Sequence, residues 1–508
     1  MAHWIRKFLH TNRQEEYAKP LETPKAFTAS LTSNMQEIRN AYKGCEDLIV
    51  REFSAGNHSF VCLSLGNMVD KGEVNRMLLE KLQGFDHIKK KPLDCFLQIE
   101  QEISTSPDQK RIYSFDQLYE MLANGFAVLL TEGVNFGLAL GLQMFPYRTI
   151  SSPQNEVMER GSQEAFCEVL KLNVPLIRRR LKTPDLAIES VRVGGKSKTE
   201  VAVCYLRGVA SANMVKTVLN RVKKIQIDTV LESGYIQPFL EDNSLSLFSS
   251  VGVTERPDTV CAKLTEGRVV VLVDGSPFCL ITPYLFSEHF QSMDDYTLNP
   301  FYATFIRILK YLSFFLAVLL PGFYVAVGEH NPEVLPSAIF FKVVDAEVST
   351  PFSLLWEALI IHTIYEIMRE AGLRLPKSVG HAVSIVGALV IGDAAVSAGL
   401  IGAPMIIVVA VTALASYVIP SLYYPAAVLR FAFILVGGLA GLFGVVLLLA
   451  VVFLEIASLE PYGIPVSAPI SPFDRTSMRD TFIRMGWRTL AKRQIKVQNL
   501  HGTDGEKV

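Results

Sequence analysis

The stretch SVGHAVSIVGALVIGDAAVSAGLIGAPMIIVVAVTALASYVIPSLYYPAAVL, Ser378–Leu429, carries one full charge, Asp393, and His381 is its only other notable ionisable group. At about 1.5 Å per helical residue it crosses a hydrocarbon core of about 30 Å twice, with a turn near Gly402–Pro404. The rest of the chain is therefore expected to be attached to a membrane. An acid at mid-bilayer costs about 3 kcal/mol on insertion scales and usually faces a bundle interior or water. Asp393 is thus the residue that needs a physical reason.

The first half of the stretch has two helical faces. Val379, Val383, Val386, Val390, Asp393 and Ser397 recur at alternating spacings of four and three and share a narrow stripe. Gly380, Ser384, Gly387, Ala388, Gly392, Ala395 and Gly399 lie on the other side, where small residues let helices approach closely. If the small face packs, the stripe is left for a shared axis. In a ring of copies the valines would form a dry constriction and Asp393 an acidic ring, a combination that gates by dewetting and favours cations. The competing reading has Asp393 satisfied by a neighbouring helix inside one subunit, with no pore. Pattern alone leaves both open.

Outward from that stretch, further apolar segments appear. Ala303–Val327 is expected to be the first span, with Arg307 and Lys310 snorkelling to headgroups and Pro321-Gly322 kinking it. Ser378–Leu400, Pro404–Leu422 and Val428–Leu454 make three more. Phe352–Ala371 mixes Glu366, Arg369 and Glu370 with Trp356, Ile360 and Ile367, and is taken as an interfacial helix, a tilted span being the alternative. The tail carries Arg475, Arg479, Arg484, Arg488, Lys492, Arg493 and Lys496, which favours the cytoplasmic side. An N-terminus without an apolar signal run puts the soluble part there too, so the Asn57-His58-Ser59 sequon has no role, and four spans satisfy the parity.

The first 300 residues read as globular. Leu48–Phe53, Ser59–Leu65 and Phe126–Thr131 have strand composition, and Asp70 is placed to cap a helix. Val191–Val193 and Val201–Arg207 flank a Gly194-Gly195 turn. Ala212–Ile225 is amphipathic, and Val269–Val273 is a buried strand entering Asp274-Gly275-Ser276-Pro277. The fold class is α+β with a membrane part: a cytoplasmic α/β domain of two subdomains, then a helical transmembrane domain of about four spans plus one interfacial helix. The boundaries are a polar segment 1–45, subdomains 46–150 and 151–290, the helical domain 291–460 and a basic cytoplasmic tail 461–508.

Function classes narrow accordingly. A net charge of −1 gives no global electrostatic case for nucleic acid. The seven cysteines form no CxxC pair and are expected to be reduced thiols. No metal-ligand spacing, phosphate loop, GxSxG or HExxH is present, so no enzyme, metal or cofactor is expected. Arg178-Arg179-Arg180 is a candidate docking site for a lipid headgroup or another subunit, the bland alternative being a salt-bridged helix end.

From about Ser151 through the tail the chain resembles the A subunit of GerA-family spore germinant receptors. The resemblance is carried by Pro153, Glu156 and Arg160-Gly161; by Asn173 and Leu176–Arg180; by Val273-Asp274-Gly275-Ser276-Pro277-Phe278; by Asp294-Asp295-Tyr296; and by Leu319, Pro321-Gly322 and Tyr324. The most specific run is Glu370-Ala-Gly-Leu-Arg374-Leu-Pro376-Lys377, leading into Val383–Gly392. The resemblance implies an integral subunit of a nutrient sensor in the spore inner membrane. It further implies a homo-oligomeric ring, with a pentamer as the suggested number, forming a nutrient-gated ion channel. The implied partners are a B subunit resembling amino-acid transporters and a C subunit that is a lipoprotein. The alternative function is a membrane-anchored scaffold or signal relay without a pore of its own.

Overall fold

The computed structural model describes residues 25–55, 58–76, 91–102, 108–144, 153, 155–158, 160–243, 245–375, 392–491, 496–500 and 502–503. The chain divides into two compact units, one of residues 1–150 with 169–190 and one of residues 151–168 with 191–508.

The first unit is a sheet between helices. Its strands are β1 (Leu48–Ala55), β2 (His58–Leu65), β3 (Gln109–Ile112), β4 (Phe126–Thr131) and β5 (Gly137–Gly141), in the order β1-β2-β4-β5-β3. All its described pairs are antiparallel. Side chains alternate across a strand, so Val61, Leu63, Val128 and Leu130 face one way. They pack on helices α1 (Leu31–Ala41) and α3 (Phe115–Ala123). Phe60, Cys62, Ala127 and Leu129 face the other way, against α2 (Pro92–Glu102). Burial pushes the Cys62 thiol up to about 12, so it stays protonated and serves as a small apolar residue. Asp70 caps as expected, its carboxylate accepting from the backbone N–H groups of Gly72 and Glu73.

Helix α4 (Leu170–Arg178) returns the chain to this unit. It corrects the headgroup expectation for Arg178, which is only 1% exposed. Its Nε and Nη2 donate to the two oxygens of Asp47 at 2.8 and 2.9 Å, and Nη1 donates to the Thr183 carbonyl. A guanidinium fork used this way has nothing left for a phosphate. Arg179 and Arg180 are partly buried, and Arg180 donates to the Leu176 carbonyl.

The second unit is built on β6 (Leu186–Val193), β7 (Thr199–Leu206), β8 (Gly252–Thr254), β9 (Val269–Val273) and β10 (Cys279–Thr282), ordered β6-β7-β9-β10-β8. Strand β6 carries the chain into it from the first unit. Val201, Val203, Val269, Val271 and Val273 share a core with Val215, Val218 and Val222 of α5 (Ala212–Lys223). The same core holds Ile464, Ala468, Val497 and Leu500. The basic tail is therefore not a free appendage: it completes the core of the second sheet. Consequently the helical bundle starts from this domain and ends in it.

The bundle comprises α7 (Pro300–Glu329), α8 (Ser337–Val348), α9 (Leu354–Arg374), α10 (Ala403–Val418) and α11 (Tyr423–Ser458), while α6 (Pro257–Thr265) stays with the sheet. Helix α7 runs through Pro321 as one 30-residue helix away from the sheet. Helix α9 runs back: Leu354 lies against Gly328, and Glu366 reaches Arg430, which also contacts Ala317 of α7. Helix α10 returns from the Glu357 level to the Arg430 level.

The expected single span Val428–Leu454 is instead a helical hairpin. Gly441 has φ +62° and ψ −154°. A Cβ on Gly444 would lie 3.0 Å from the Val436 carbonyl, whereas eight residues of straight helix advance about 12 Å. The first arm, 423–440, runs beside α7 in the same direction, and the second, 442–458, returns. Its Glu455 accepts from Ser246 Oγ and the Leu247 N–H of the sheet domain. No charge marks this reversal, which is why an apolar run concealed it.

Candidate functional site in the helical bundle

Polar contacts tie the bundle together at three levels. At the sheet end, Asp295 and Asp480 hold Arg307. Arg307 Nε donates to Asp295 at 2.6 Å and Nη1 to Asp480 at 2.8 Å. Lys310 Nζ donates to Ser292 Oγ, 3.8 Å from Asp295. Tyr296 OH donates to Asp480. The snorkelling expectation for Arg307 is thereby corrected: at 0% exposure it is neutralised inside the protein, which removes any need to reach headgroups. Its second acid lies in the tail, 173 residues away.

One level deeper stands Arg430, also 0% exposed. It donates to the Ala317 carbonyl of α7 at 3.0 Å, to Glu366 of α9 at 3.1 Å and to Ser416 of α10 at 2.6 Å. Tyr423 OH donates to the other Glu366 oxygen at 2.7 Å. One guanidinium thus pins four helices. Sequence reading gave Arg430 no role and counted Glu366 among the charges of an interfacial helix. The signal that pairs them is their opposite sign in otherwise apolar segments, since buried charges are normally paired.

At the far end the hairpin turn is clasped from the α7 terminus. His330 Nε2 donates to the Gly438 carbonyl at 2.7 Å, and the Leu442 N–H donates to Asn331 Oδ1 at 3.1 Å. Glu329 accepts from the Leu355 N–H and Glu357 from the Gly402 N–H, so they cap α9 and α10. A broken helix in an apolar setting requires such partners for its freed backbone groups.

Helix α9 wears its polarity inside out. Glu357 and His362 are 0% exposed, whereas Trp356 and Ile367 are 58% and 63% exposed. At 21 residues it is roughly 31 Å long. Glu370 and Arg374, which pair near its end, are by contrast exposed.

Of the stripe, Val379, Val383, Val386 and Val390 lie outside the described residues, as do Gly380, Ser384, Gly387 and Ala388 of the small face. Asp393 and Ser397 are exposed, whereas Gly392 is buried. Ala395 packs on the cluster of Ile361, Met405 and Val409. Gly399 ends this helical turn with φ +65°.

Beside the sheet end lies a cleft of about 1440 Å³, reached by His289, Lys310, Tyr424 and Trp487. Its lining mixes Glu156, Glu266 and Asp480 with Arg256 and Lys263, so charge alone selects no ligand there. Under it, burial alone would raise the Glu288 carboxyl; Arg268 and Lys263 overcome that and hold it below the usual range. Burial pushes His289 down to about 4, against the opposing pull of Glu288. The unfolded chain therefore takes up a proton first as pH falls, and this group's stabilisation fades from about pH 6.5 to about 4, a loss of about 3 kcal/mol. His289→Phe is expected to flatten that part of the stability profile. Thermal melts of both proteins at pH 7 and pH 4.5 check this; an equal fall in Tm for the two refutes it.

Residues 36–495 match the family described as Bacillus/Clostridium GerA spore germination protein. Spore germination protein KA of Bacillus subtilis is 36% identical over 94% of this chain and 88% of its own length. Spore germination protein GerLA of Bacillus cereus is 33% identical over 92% and 96%. An uncharacterized membrane protein of Bacillus subtilis, YfkQ, is 36% identical over 94% and 93%. The crystal structure of the N-terminal domain of the A subunit of the Bacillus megaterium spore germinant receptor GerK3 is 29% identical, covering 52% of this chain and 99% of that one at a TM-score of 0.42. Three of the residues carrying the resemblance have structural duties here: Glu156 holds Thr254, and Asp295 and Tyr296 build the Arg307 cluster. The chain belongs to the GerA family of spore germination proteins, among the A-type subunits of germinant receptors.

Proposed function

We propose that this chain is the ring-forming subunit of a nutrient-gated cation channel in a spore germinant receptor. The observation that carries the reading is the pairing of an exposed Asp393 and Ser397 with a buried Gly392 and a packed Ala395. An acid left on the outside of an apolar bundle is costly in lipid, and copies meeting around an axis would remove it from lipid. Val379, Val383, Val386 and Val390 would then form the constriction beside it, with Gly380, Ser384, Gly387 and Ala388 on the packing side.

The membrane topology proposed here has six crossings. Helices α7, α9, α10 and the two arms of α11 supply five. The sixth is the span that the sequence alone assigns to Ser378–Leu400, of which residues 376–391 lie outside the described residues. Pro300–Glu329 is apolar and long enough to cross by length and composition, and the apolar stretch Pro420–Ser458 is divided between the two arms of the hairpin. An even count agrees with a bundle inserted into one soluble domain. Basic residues in the tail favour the cytoplasmic side for that domain, here the core side of the spore inner membrane. A germinant-binding B subunit and a lipoprotein C subunit complete the proposed receptor.

Asp393→Asn is expected to lower the cation-to-anion permeability ratio of the reconstituted receptor several-fold while leaving assembly unchanged. Bilayer recordings with mass photometry check it. Unchanged selectivity removes the acidic ring; a monomer without conductance favours the scaffold reading.

A further inference from the structure

Among the described residues six arginines are no more than 3% exposed. Five of them meet a carboxylate at 3.1 Å or less: Arg178, Arg256, Arg268, Arg307 and Arg430. The sixth, Arg484, has no carboxylate within 4.0 Å among the described residues. The nearby acids are committed elsewhere: Asp295 and Asp480 hold Arg307, and Asp480 also accepts from Tyr296. A guanidinium carries five N–H donors. That of Arg484 donates from Nη2 to the Tyr296 carbonyl at 3.3 Å, and its Nε has no partner. Buried charges are normally paired, so this cation is short of an anion. Aromatic rings flank it instead: its central carbon lies 5.3 Å from the Trp487 ring centre and 5.7 Å from that of Tyr296. Such rings ease the burial of a cation without taking its N–H groups, which suit an anion that accepts several bonds in one plane.

The position of Arg484 says which anion. Its stretch of the tail is fastened to the first turn of α7. The Arg484 N–H donates to Thr304 Oγ1 at 3.1 Å, and Trp487 Nε1 donates to the Tyr296 carbonyl at 3.1 Å. A Cβ on Gly486 would lie 3.9 Å from Pro300. Phe301, Tyr302 and Phe305 of α7 are exposed there, and so are Ile483 and Trp487 of the tail. Exposed aromatic residues at the start of a crossing helix mark the boundary between headgroups and hydrocarbon, the depth of a lipid phosphate. We propose that Arg484 is the phosphate-binding residue of a phospholipid site at the sheet end of the bundle. The headgroup is anionic, because Arg484 needs a net negative charge and the exposed Arg488 beside it repels a headgroup that brings its own ammonium. Ile483, Phe301 and Phe305 lie against the upper part of the acyl chains. The site rests on the reading of α7 as a membrane crossing and is independent of any pore. Free phosphate shares the chemistry, and the experiment separates the two sources.

The chain has three tryptophans, Trp4, Trp356 and Trp487. A full-length Trp4→Phe/Trp356→Phe protein reports on the site, and Trp4→Phe/Trp487→Phe reports on helix α9. Each is reconstituted in phosphatidylcholine vesicles holding the same fraction of brominated phosphatidylglycerol or brominated phosphatidylcholine. Trp487 fluorescence is expected to be quenched several-fold more by the phosphatidylglycerol. Arg484→Gln is expected to abolish that preference, and Arg484→Lys, which keeps the charge but loses the planar fork, to reduce it. Inorganic phosphate added at constant ionic strength is expected to leave it unchanged. Equal quenching of Trp487 by the two lipids overturns the proposal, as does a preference undiminished in Arg484→Gln. A preference abolished by inorganic phosphate makes free phosphate the ligand and overturns the lipid. If Arg484→Gln does not fold, Arg484→Lys decides, and an undiminished preference there overturns the site. Trp356 quenched by both lipids while Trp487 is quenched by neither overturns the site and leaves the crossing reading standing. Trp356 quenched by neither removes the crossing reading and the lipid site with it.

Discussion

Arg430→Met is expected to cost about 3–5 kcal/mol and to loosen the helical bundle at its sheet end. The guanidinium is fully buried and serves acceptors on three neighbouring helices, Ala317, Glu366 and Ser416. Removing it leaves the partly buried Glu366 carboxylate with Tyr423 as its remaining side-chain partner. Breaking a buried pair on one side is worse than never having had it, because the remaining charge keeps its desolvation cost. It follows that Arg430→Met with Glu366→Leu should recover much of the loss, and that Glu366→Gln alone should cost less than Arg430→Met. Denaturation in mild detergent, followed by helical circular dichroism, measures all three. A single Arg430→Met variant within 1 kcal/mol of the parent would mean that these four helices are held by packing alone. So would a double variant no better than the single.

Much of the soluble fold was legible because its signals are local. The strands at Leu48, Ser59, Phe126, Val201 and Val269 announce themselves by β-branched and apolar composition, and Asp70 by its place before a helix. Their pairing was not legible. Strands alternating with helices suggested an α/β arrangement, but the connections here make antiparallel sheets, and nothing in a strand's own composition states its partner. The helical part failed in a different way. Hydropathy reports whether a segment is apolar, not whether it reverses, so Gly441 sat unnoticed within Val428–Leu454. Charges misled for the same reason. Arg307 and Glu366 were judged one at a time, as a snorkelling group and a mark of an interfacial helix, although each is neutralised by a residue far along the chain. Of the candidate stripe, Asp393 and Ser397 lie within the described residues and both are exposed.

A close approach of two helices in the bundle gives the second large effect. Gly322 of α7 and Gly437 of α11 meet backbone to backbone. A Cβ added at Gly322 would stand 2.5 Å from the Phe433 carbonyl oxygen, and one at Gly437 would stand 2.4 Å from the Gly322 carbonyl oxygen. Neither obstacle is a side-chain end that can swing aside; each is helix backbone, held by its own hydrogen bonds. The two helices must therefore separate, opening gaps around Phe433, Val325 and Ile434, which are 0% exposed. Loss of close contact forfeits dispersion along the whole crossing. Gly322→Ala and Gly437→Ala are each expected to cost about 2–3 kcal/mol. Because one methyl already forces the separation, the second should find room, so the double variant should cost clearly less than the sum. That sub-additivity distinguishes a shared steric contact from two independent losses of helix flexibility. Independent losses would add, and Ala is in any case the better helix former, by about 1 kcal/mol. Fully additive costs, or two stabilised single variants, would place the helices farther apart than the structure does.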